Sequence, residues 1–391
     1  MPIYNSIAEF HEDLTEWRRD IHAHPELRYE ETRTAEQVSR RLEDWGIEVH
    51  RDIAKTGVVG VLRGRGTSEL TIGLRADMDA LPILEQTGLP YKSTAEGKMH
   101  ACGHDGHTVM LLGAARYLAE TRNFDGTVHF IFQPAEEGGA GAKMMIEEGL
   151  FERFPCDTVW GMHNAPHHPA GTITTRPGPS LAAANKAFIT IRGRGAHAAR
   201  PHDGVDPIAV GFQLYQGLQL IISRNVDPLQ SAVVSVCEFN AGTALNVIAD
   251  TASMSISIRT FDPDVGKLVE QRVRALCEGV AAAHGCTIEL KYEEGYPTLI
   301  NHERETELAA AVAEEVVGSA AVDRNGIAAM GSEDFAFMLQ ERPGAFIWIG
   351  QGTEGKDFGL HHPRYDFNDE ILPVGASYWA RLVETCLPRK D

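Results

Sequence analysis

Apolar residues recur at Ile7, Phe10, Leu14, Trp17 and Ile21, in steps of three and four. That period lays one stripe along a helix and predicts a single helix starting after Asn5 or Ser6. A second stripe, Val38, Leu42 and Trp45, predicts another helix, with Gly46 placed to cap its C-terminus. Short apolar runs then alternate with helical stretches: strands at 58–62, 71–75, 127–132 and 157–162, helices at 108–119 and 140–150. Such alternation predicts an α/β fold with a mixed, mostly parallel sheet flanked by helices.

Between 185 and 297 the order changes to strand 186–192, helix 207–224, strands 231–238 and 251–260, helix 265–284 and strand 286–293. This βαββαβ order is the ferredoxin-like arrangement and reads as a second, smaller domain. After Pro297 the first pattern resumes, with helices at 303–317 and 372–386 around a strand at 345–349. The expected organisation is a larger domain in two parts, 1–184 and 298–391, interrupted by an insertion at 185–297.

The composition fits this picture. At 391 residues and 43% hydrophobic, the chain is long enough for two or three well-packed domains. A formal charge of −19 excludes polyanionic partners such as nucleic acid or an anionic membrane. The six cysteines show no paired spacing and no apolar run approaches a membrane span, so a soluble, cytoplasmic protein is expected. Seventeen histidines direct attention to metal or proton chemistry.

Polar residues gather just past the strands of the larger domain: Arg75-Ala76-Asp77-Met78-Asp79 after the strand at 71–75, Gln133-Pro134-Ala135-Glu136-Glu137 after 127–132, and His163-Asn164 after 157–162. The carboxyl ends of strands in an open α/β sheet line its binding crevice, so these segments are expected to converge. The densest cluster is Met99-His100-Ala101-Cys102-Gly103-His104-Asp105-Gly106-His107, leading into the helix at 108–119. Cys102 and His104, two apart in extended backbone, can share a metal centre. A thiolate favours zinc, but imidazole and carboxylate suit several divalent ions. Glu136 and Glu137, if extended, face opposite ways, so one can bind metal while the other works as a base on water. His361-His362-Pro363 is a candidate late ligand, whereas His22, His24, His167 and His168 read as ordinary loop or helix-end residues.

Other chemistries are excluded. Gly350 and Gly355-Lys356 have phosphate-loop spacing, but Asp357 stands where Ser or Thr is required. Asp357-Phe358-Gly359 lacks the other kinase signatures, and neither H-E-x-x-H nor G-x-S-x-G occurs.

Taken in order, Arg19-Asp20-Ile21-His22-Ala23-His24-Pro25-Glu26, Arg75 to Pro82, His100 to Asp105, Gln133 to Gly138, Gly331-Ser332-Glu333-Asp334-Phe335 and Leu360 to Pro363 resemble the dinuclear metal amidohydrolases and peptidases that include aminoacylase and succinyl-diaminopimelate desuccinylase. Within them the chain is most similar to the hippurate hydrolase and N-acyl-amino-acid amidohydrolase branch. The resemblance implies two divalent metal ions per subunit, zinc, manganese, cobalt or nickel. It makes Cys102, His104, Glu137, His163 and His361 the ligands, with His362 as the alternative to His361, and Glu136 the general base. Asp79 matches the residue that orients a ligand, and Asp77 stands where the wider family has a histidine. His197, in Gly193-Arg194-Gly195-Ala196-His197, matches a histidine that enters the partner subunit's active site, which implies a homodimer or homotetramer and gives the insertion a lid and dimerisation role. Asn246 and Arg259 match positions that hold a substrate carboxylate, a task suited to the planar fork of arginine. The implied reaction is metal-dependent hydrolysis of an N-acyl-L-amino acid. A metallo-carboxypeptidase or dipeptidase is the alternative enzyme, and an inactive binding homologue would require missing ligands.

Overall fold

The computed structural model describes residues 4–352 and 358–389. In chain order its elements are α1 (Asn5–Glu9), α2 (His11–Ala23), α3 (Thr32–Asp44), β1 (Glu48–Ile53), β2 (Gly57–Arg63), β3 (Thr71–Asp77), α4 (His104–Thr121), β4 (Thr127–Gln133), α5 (Glu136–Gly139), α6 (Gly141–Glu147), α7 (Leu150–Arg153), β5 (Thr158–Pro169), β6 (Ile173–Thr174) and β7 (Gly178–Leu181). There follow β8 (Ala183–Arg192), β9 (Ala196–His197), α8 (Pro207–Asn225), β10 (Ala232–Ala241), β11 (Val247–Ile248), β12 (Thr251–Thr260), α9 (Pro263–His284), β13 (Thr287–Tyr296), β14 (Leu299–Asn301), α10 (Glu303–Val317), β15 (Val322–Asp323), α11 (Phe335–Glu341), β16 (Gly344–Gly352) and α12 (Leu372–Cys386).

The chain divides into two compact units. The first comprises Met1–Gly178, Ile300–Ile327 and Phe337–Asp391. Its eight-stranded sheet has the order β1-β2-β4-β3-β5-β16-β6-β15. The four central strands β4, β3, β5 and β16 run parallel, while β1, β2 and β4 pair antiparallel at one side. Helix α4 is buried along most of its length and packs against β3 and α12, so its sequence is apolar nearly all round. Phe130, Trp160, Ile347 and Trp379 are among the fully enclosed core side chains.

The second unit comprises Pro179–Leu299 with Ala328–Ala336. Its antiparallel sheet, order β10-β12-β8-β13, carries α8 and α9 in the βαββαβ sequence of a ferredoxin-like fold. Ile189, Ile191, Leu214, Ile256 and Val273 are in its separate core. Asp206 and Asp262 cap α8 and α9 by accepting from the N–H groups of Ile208 and Asp264.

Several local expectations change. The N-terminal stripe is divided between α1 and α2, with Phe10 at the junction. The helix expected over 140–150 is instead α6 and the start of α7, because Ala140 before α6 and Gly149 between the two both adopt left-handed backbone. β5 continues to Pro169, so His167 and His168 lie on a strand rather than in a loop. Gly46 does close α3: its N–H donates to Glu43, that of Ile47 to Leu42, and its φ is +71°. The phosphate-loop-like residues Gly355, Lys356 and Asp357 lie outside the described residues.

Candidate metal centre

The carboxyl ends of β3 and β4 and the middle of β5 bring the expected segments together. β3 pairs with both β4 and β5 in parallel, and His163 on β5 stands in register with Trp348 of β16. The loop before α4 brings Cys102 and His104 over the same ground. Gly103 between them has φ +95°, and a Cβ there would meet the side-chain oxygens of Asn164 at 2.4 Å and Tyr365 at 2.6 Å. Only glycine suits this turn.

Cys102, His104 and His163 are all buried, and their donor atoms lie within 4.8 Å of one another. The donor atoms of Cys102, Glu137 and His361, and those of His104, Glu136 and Glu137, are equally close, although Glu137 is only partly buried and His361 is exposed. Sγ of Cys102 is 3.4 Å from Nε2 of His163. Nε2 of His361 is 3.0 Å from Oε1 of Glu137, without the alignment of a hydrogen bond. His362 instead stacks on Phe358 and accepts the Arg364 N–H. His361 reaches its place through a left-handed backbone, φ 64°, and its N–H donates to the Ala101 carbonyl.

The expectation of an extended Glu136–Glu137 pair is corrected. Ala135 is left-handed, and the two glutamates begin the single turn α5, in which Glu137 leaves helical geometry. The carboxylate of Asp79 holds this turn, accepting the Glu136 N–H at 3.0 Å and the Glu137 N–H at 2.9 Å. Its Oδ1 also accepts from Nδ1 of His104 at 3.2 Å, which turns Nε2 of that ring toward the other donors.

Buried around these groups is a set that sequence reasoning leaves without a role. Nδ1 of His107 donates to Asp77 at 2.6 Å, and Nε2 of His107 lies 2.7 Å from Oδ1 and 3.0 Å from the backbone N of Asn164. The Asn164 carbonyl in turn accepts from Nδ1 of His163 at 2.9 Å. Arg75 donates to Asp77 and to Gln133, so the chain of contacts is anchored in the core. The spacing of His107 three residues after His104, on one helix face, is the signal that could have found it. His22, read as an ordinary helix-end residue, is fully buried and donates to Asp105.

The electrostatics suit a cation. Burial, reinforced by nearby His107 and only partly opposed by the charge of Asp77, pushes His163 well below the ordinary imidazole range, so its ring is a neutral donor. Burial, then Glu137, Glu136 and Asp77, raise the Cys102 thiol well above its usual value. Against the opposing effect of burial, Asp77 and Asp79 lift His104 to about 10. Nε2 of His104 and Oε1 of Glu137 are buried without hydrogen-bond partners. A thiol, three imidazoles and two carboxylates with two such orphaned atoms fit a divalent ion, whose charge favours the deprotonated thiolate and the neutral ring.

A model of peptidase family M20/M25/M40 matches residues 73–385. The chain belongs to that family. It is 43% identical to the hippurate hydrolase of Campylobacter jejuni over 98% of both chains, and 41% identical to an N-acetylcysteine deacetylase of Bacillus subtilis over 95% of this chain and 96% of the other. A solved Bacillus subtilis structure, described as a dinuclear metal binding peptidase of the M20 family, superposes with a TM-score of 0.84 at 37% identity, covering 97% of this chain and 99% of that one. The family member described here is accordingly a metallo-amidohydrolase.

In the second unit, His197 on β9 faces Val247 of β11, and the Ala198 N–H donates to the Asn246 carbonyl, so His197 and Asn246 sit side by side on an exposed ribbon. The Ala199 N–H donates to Nδ1 of His197, which leaves the proton of the neutral ring on Nε2. Arg259 is half-buried on β12 and donates to the Ser332 hydroxyl at 3.1 Å. Among the described residues no carboxylate pairs with it, so it is not the surface ion pair that a strand arginine commonly makes.

Proposed function

We propose that this enzyme hydrolyses the amide bond of N-acyl-L-amino acids, hippurate-like or N-acetyl, to a carboxylic acid and a free amino acid, with two divalent ions per subunit held by Cys102, His104, Glu137, His163 and His361. The observation that carries this reading is the gathering of those five side chains beside Glu136, with Cys102, His104 and His163 buried and His361 at the exposed rim, in a chain 43% identical to a hippurate hydrolase. Bound there, zinc, manganese, cobalt or nickel ions supply Lewis acidity and lower the pKa of water. Glu136 takes the proton of the attacking water and passes it to the leaving amine. Asp79 fixes the His104 ring and the backbone of both glutamates, so base and ligand keep their division of labour. Arg259 and Asn246 hold the substrate carboxylate.

His197, with its proton on Nε2, donates to the developing oxyanion of a neighbouring subunit's substrate. This makes the working enzyme a homodimer or a larger assembly, with the second unit as lid and dimerisation domain. Ile208, Phe212 and Tyr215 support it, an exposed apolar stripe along α8, as does the unpaired edge of β10. Among the described residues no helix is long and apolar enough to cross a membrane, and all six cysteines are unpaired, which supports a cytoplasmic setting.

The test is a panel of benzoyl, acetyl and indoleacetyl conjugates and of dipeptides, assayed after chelation and after refilling with each of the four metals. Hydrolysis of N-acyl-amino acids only after refilling is expected. Activity that survives complete metal removal overturns the mechanism, and cleavage confined to dipeptides favours the carboxypeptidase alternative.

A further inference from the structure

Three successive backbone N–H groups at the turn bearing Glu136 and Glu137 are held by two buried carboxylates. Asp79 takes those of Glu136 and Glu137, and Oε1 of Glu31 takes that of Ala135 at 2.9 Å. Glu31 is wholly enclosed. It also accepts the Tyr29 N–H at 3.0 Å and the Thr56 hydroxyl, so three donors from three segments fix its carboxylate. Its neighbours brace the far end of the same turn: the Tyr29 hydroxyl donates to the Gly139 carbonyl at 2.6 Å and Arg28 to the Glu137 carbonyl at 3.2 Å.

What this grip opposes is visible in the backbone. Ala135 has φ 56° and ψ 41°, a conformation that a residue with a Cβ leaves readily for the right-handed or extended regions. Release of its N–H would let the peptides on either side rotate, and the carboxylates one and two residues on would move with them.

We propose that Glu31 is a positioning residue of this enzyme: by accepting the Ala135 N–H it holds Ala135 left-handed and so fixes where the Glu136 and Glu137 carboxylates stand. The inference rests on the reading of Glu136 as base and Glu137 as ligand. Glu31 touches neither substrate nor metal donor atoms; it acts through one peptide.

The test uses the full chain with Glu31→Ala, Glu31→Gln, Ala135→Gly and the Glu31→Ala/Ala135→Gly double variant. Two quantities are read: zinc affinity by competition with a chromophoric chelator, and kcat and KM of fully zinc-loaded protein on benzoylglycine. Glu31→Ala is expected to weaken zinc binding and lower kcat by roughly 10–100-fold, the usual effect of removing a residue that orients a metal site, with KM little changed. Glu31→Gln stays within about threefold, because its amide oxygen still accepts from Ala135 while its NH2 donates to Thr56. Glycine reaches positive φ without the penalty that alanine meets, so Ala135→Gly in the Glu31→Ala background restores about tenfold of both losses. A merely structural loss elsewhere would not respond to position 135. Wild-type affinity and rate in Glu31→Ala, or losses that Ala135→Gly leaves untouched, overturn the proposal. If Glu31→Ala does not fold, Glu31→Asp, whose shorter side chain withdraws from Ala135, carries the same comparison. Zinc affinity is measured without turnover, so a wrong substrate assignment leaves this test intact, while unchanged affinity beside a dead Glu136→Gln enzyme sinks the Glu31 proposal alone.

Discussion

Sγ of Cys102 stands 3.4 Å from Nε2 of His163, and both side chains are buried. A thiol and an imidazole held so closely in a dry site cannot both bind a cation until the thiol loses its proton. Burial and the neighbouring carboxylates raise that thiol, and Asp77 and Asp79 raise His104 despite its burial, so metal uptake must release protons. Metal affinity is therefore expected to rise with pH between 6 and 8, by roughly tenfold per pH unit for each proton released. Cys102→Ser should flatten that slope by about one proton, measured by zinc titration at several pH values. An unchanged slope would remove Cys102 from the ligand set.

Glu136→Gln should retain the metal and lose roughly 10²–10⁴-fold in kcat, the range general-base removal usually costs. Metal analysis beside steady-state kinetics checks both halves. Appreciable residual turnover would refute the base assignment.

Arg259 has a hydroxyl partner and no carboxylate partner among the described residues. Arg259→Lys keeps the charge and loses the fork, so KM for N-acyl-amino acids should rise about tenfold or more with kcat less affected. The corresponding N-acyl amide, which lacks the substrate carboxylate, should be insensitive to the same change. Equal losses on both would mean that Arg259 only supports its sheet.

If His197 serves a neighbouring subunit, Glu136→Gln and His197→Ala chains mixed under conditions of proven subunit exchange should regain activity that neither has alone. Failure of complementation would assign His197 to its own chain.

Burial, opposed by the hydrogen bond from Thr56 and reinforced by the charge of Asp79, raises Glu31 from 4.5 to about 7. Between those values the folded chain keeps a proton that the unfolded chain has released, so this group's contribution to stability falls as pH rises through the window. In chelator-treated protein, Glu31→Gln should lose less stability from pH 5 to pH 8 than the parent, by on the order of 2–3 kcal/mol at most. Denaturant melts at the two pH values decide it, and parallel losses in both proteins would show that Glu31 ionises normally.

Legibility followed locality. α10 and α12 could be read residue for residue because a 3.6-residue stripe ends at a helix breaker: Gly318 follows the first and a Pro soon follows the second. β1 escaped because its largely exposed positions carry no alternation, and β6 and β15 are only two residues long. The ligand candidates stand out by residue type near strand ends. Asp77, His107 and Asn164 stand beside them in the sequence without showing which pairs with which, and Glu31 does not stand out at all, since a buried carboxylate accepting a backbone N–H a hundred residues away leaves no trace in spacing. Even for the paired glutamates the pattern predicts an extended segment, and one left-handed alanine, Ala135, turns it into a helical turn.

β16 lies between β5 and β6 in the middle of the large sheet, although about 180 residues of chain separate it from β5. During synthesis the ribosome delivers β1 to β5 first and then Pro179–Leu299, most of the second unit, whose core can form while β5 still lacks β16. The proposed metal site, which includes His361, is therefore among the last parts of the molecule that can exist. A nascent chain stalled after α9 would display an unsatisfied parallel strand edge, and this is the stage at which a chaperone is most needed.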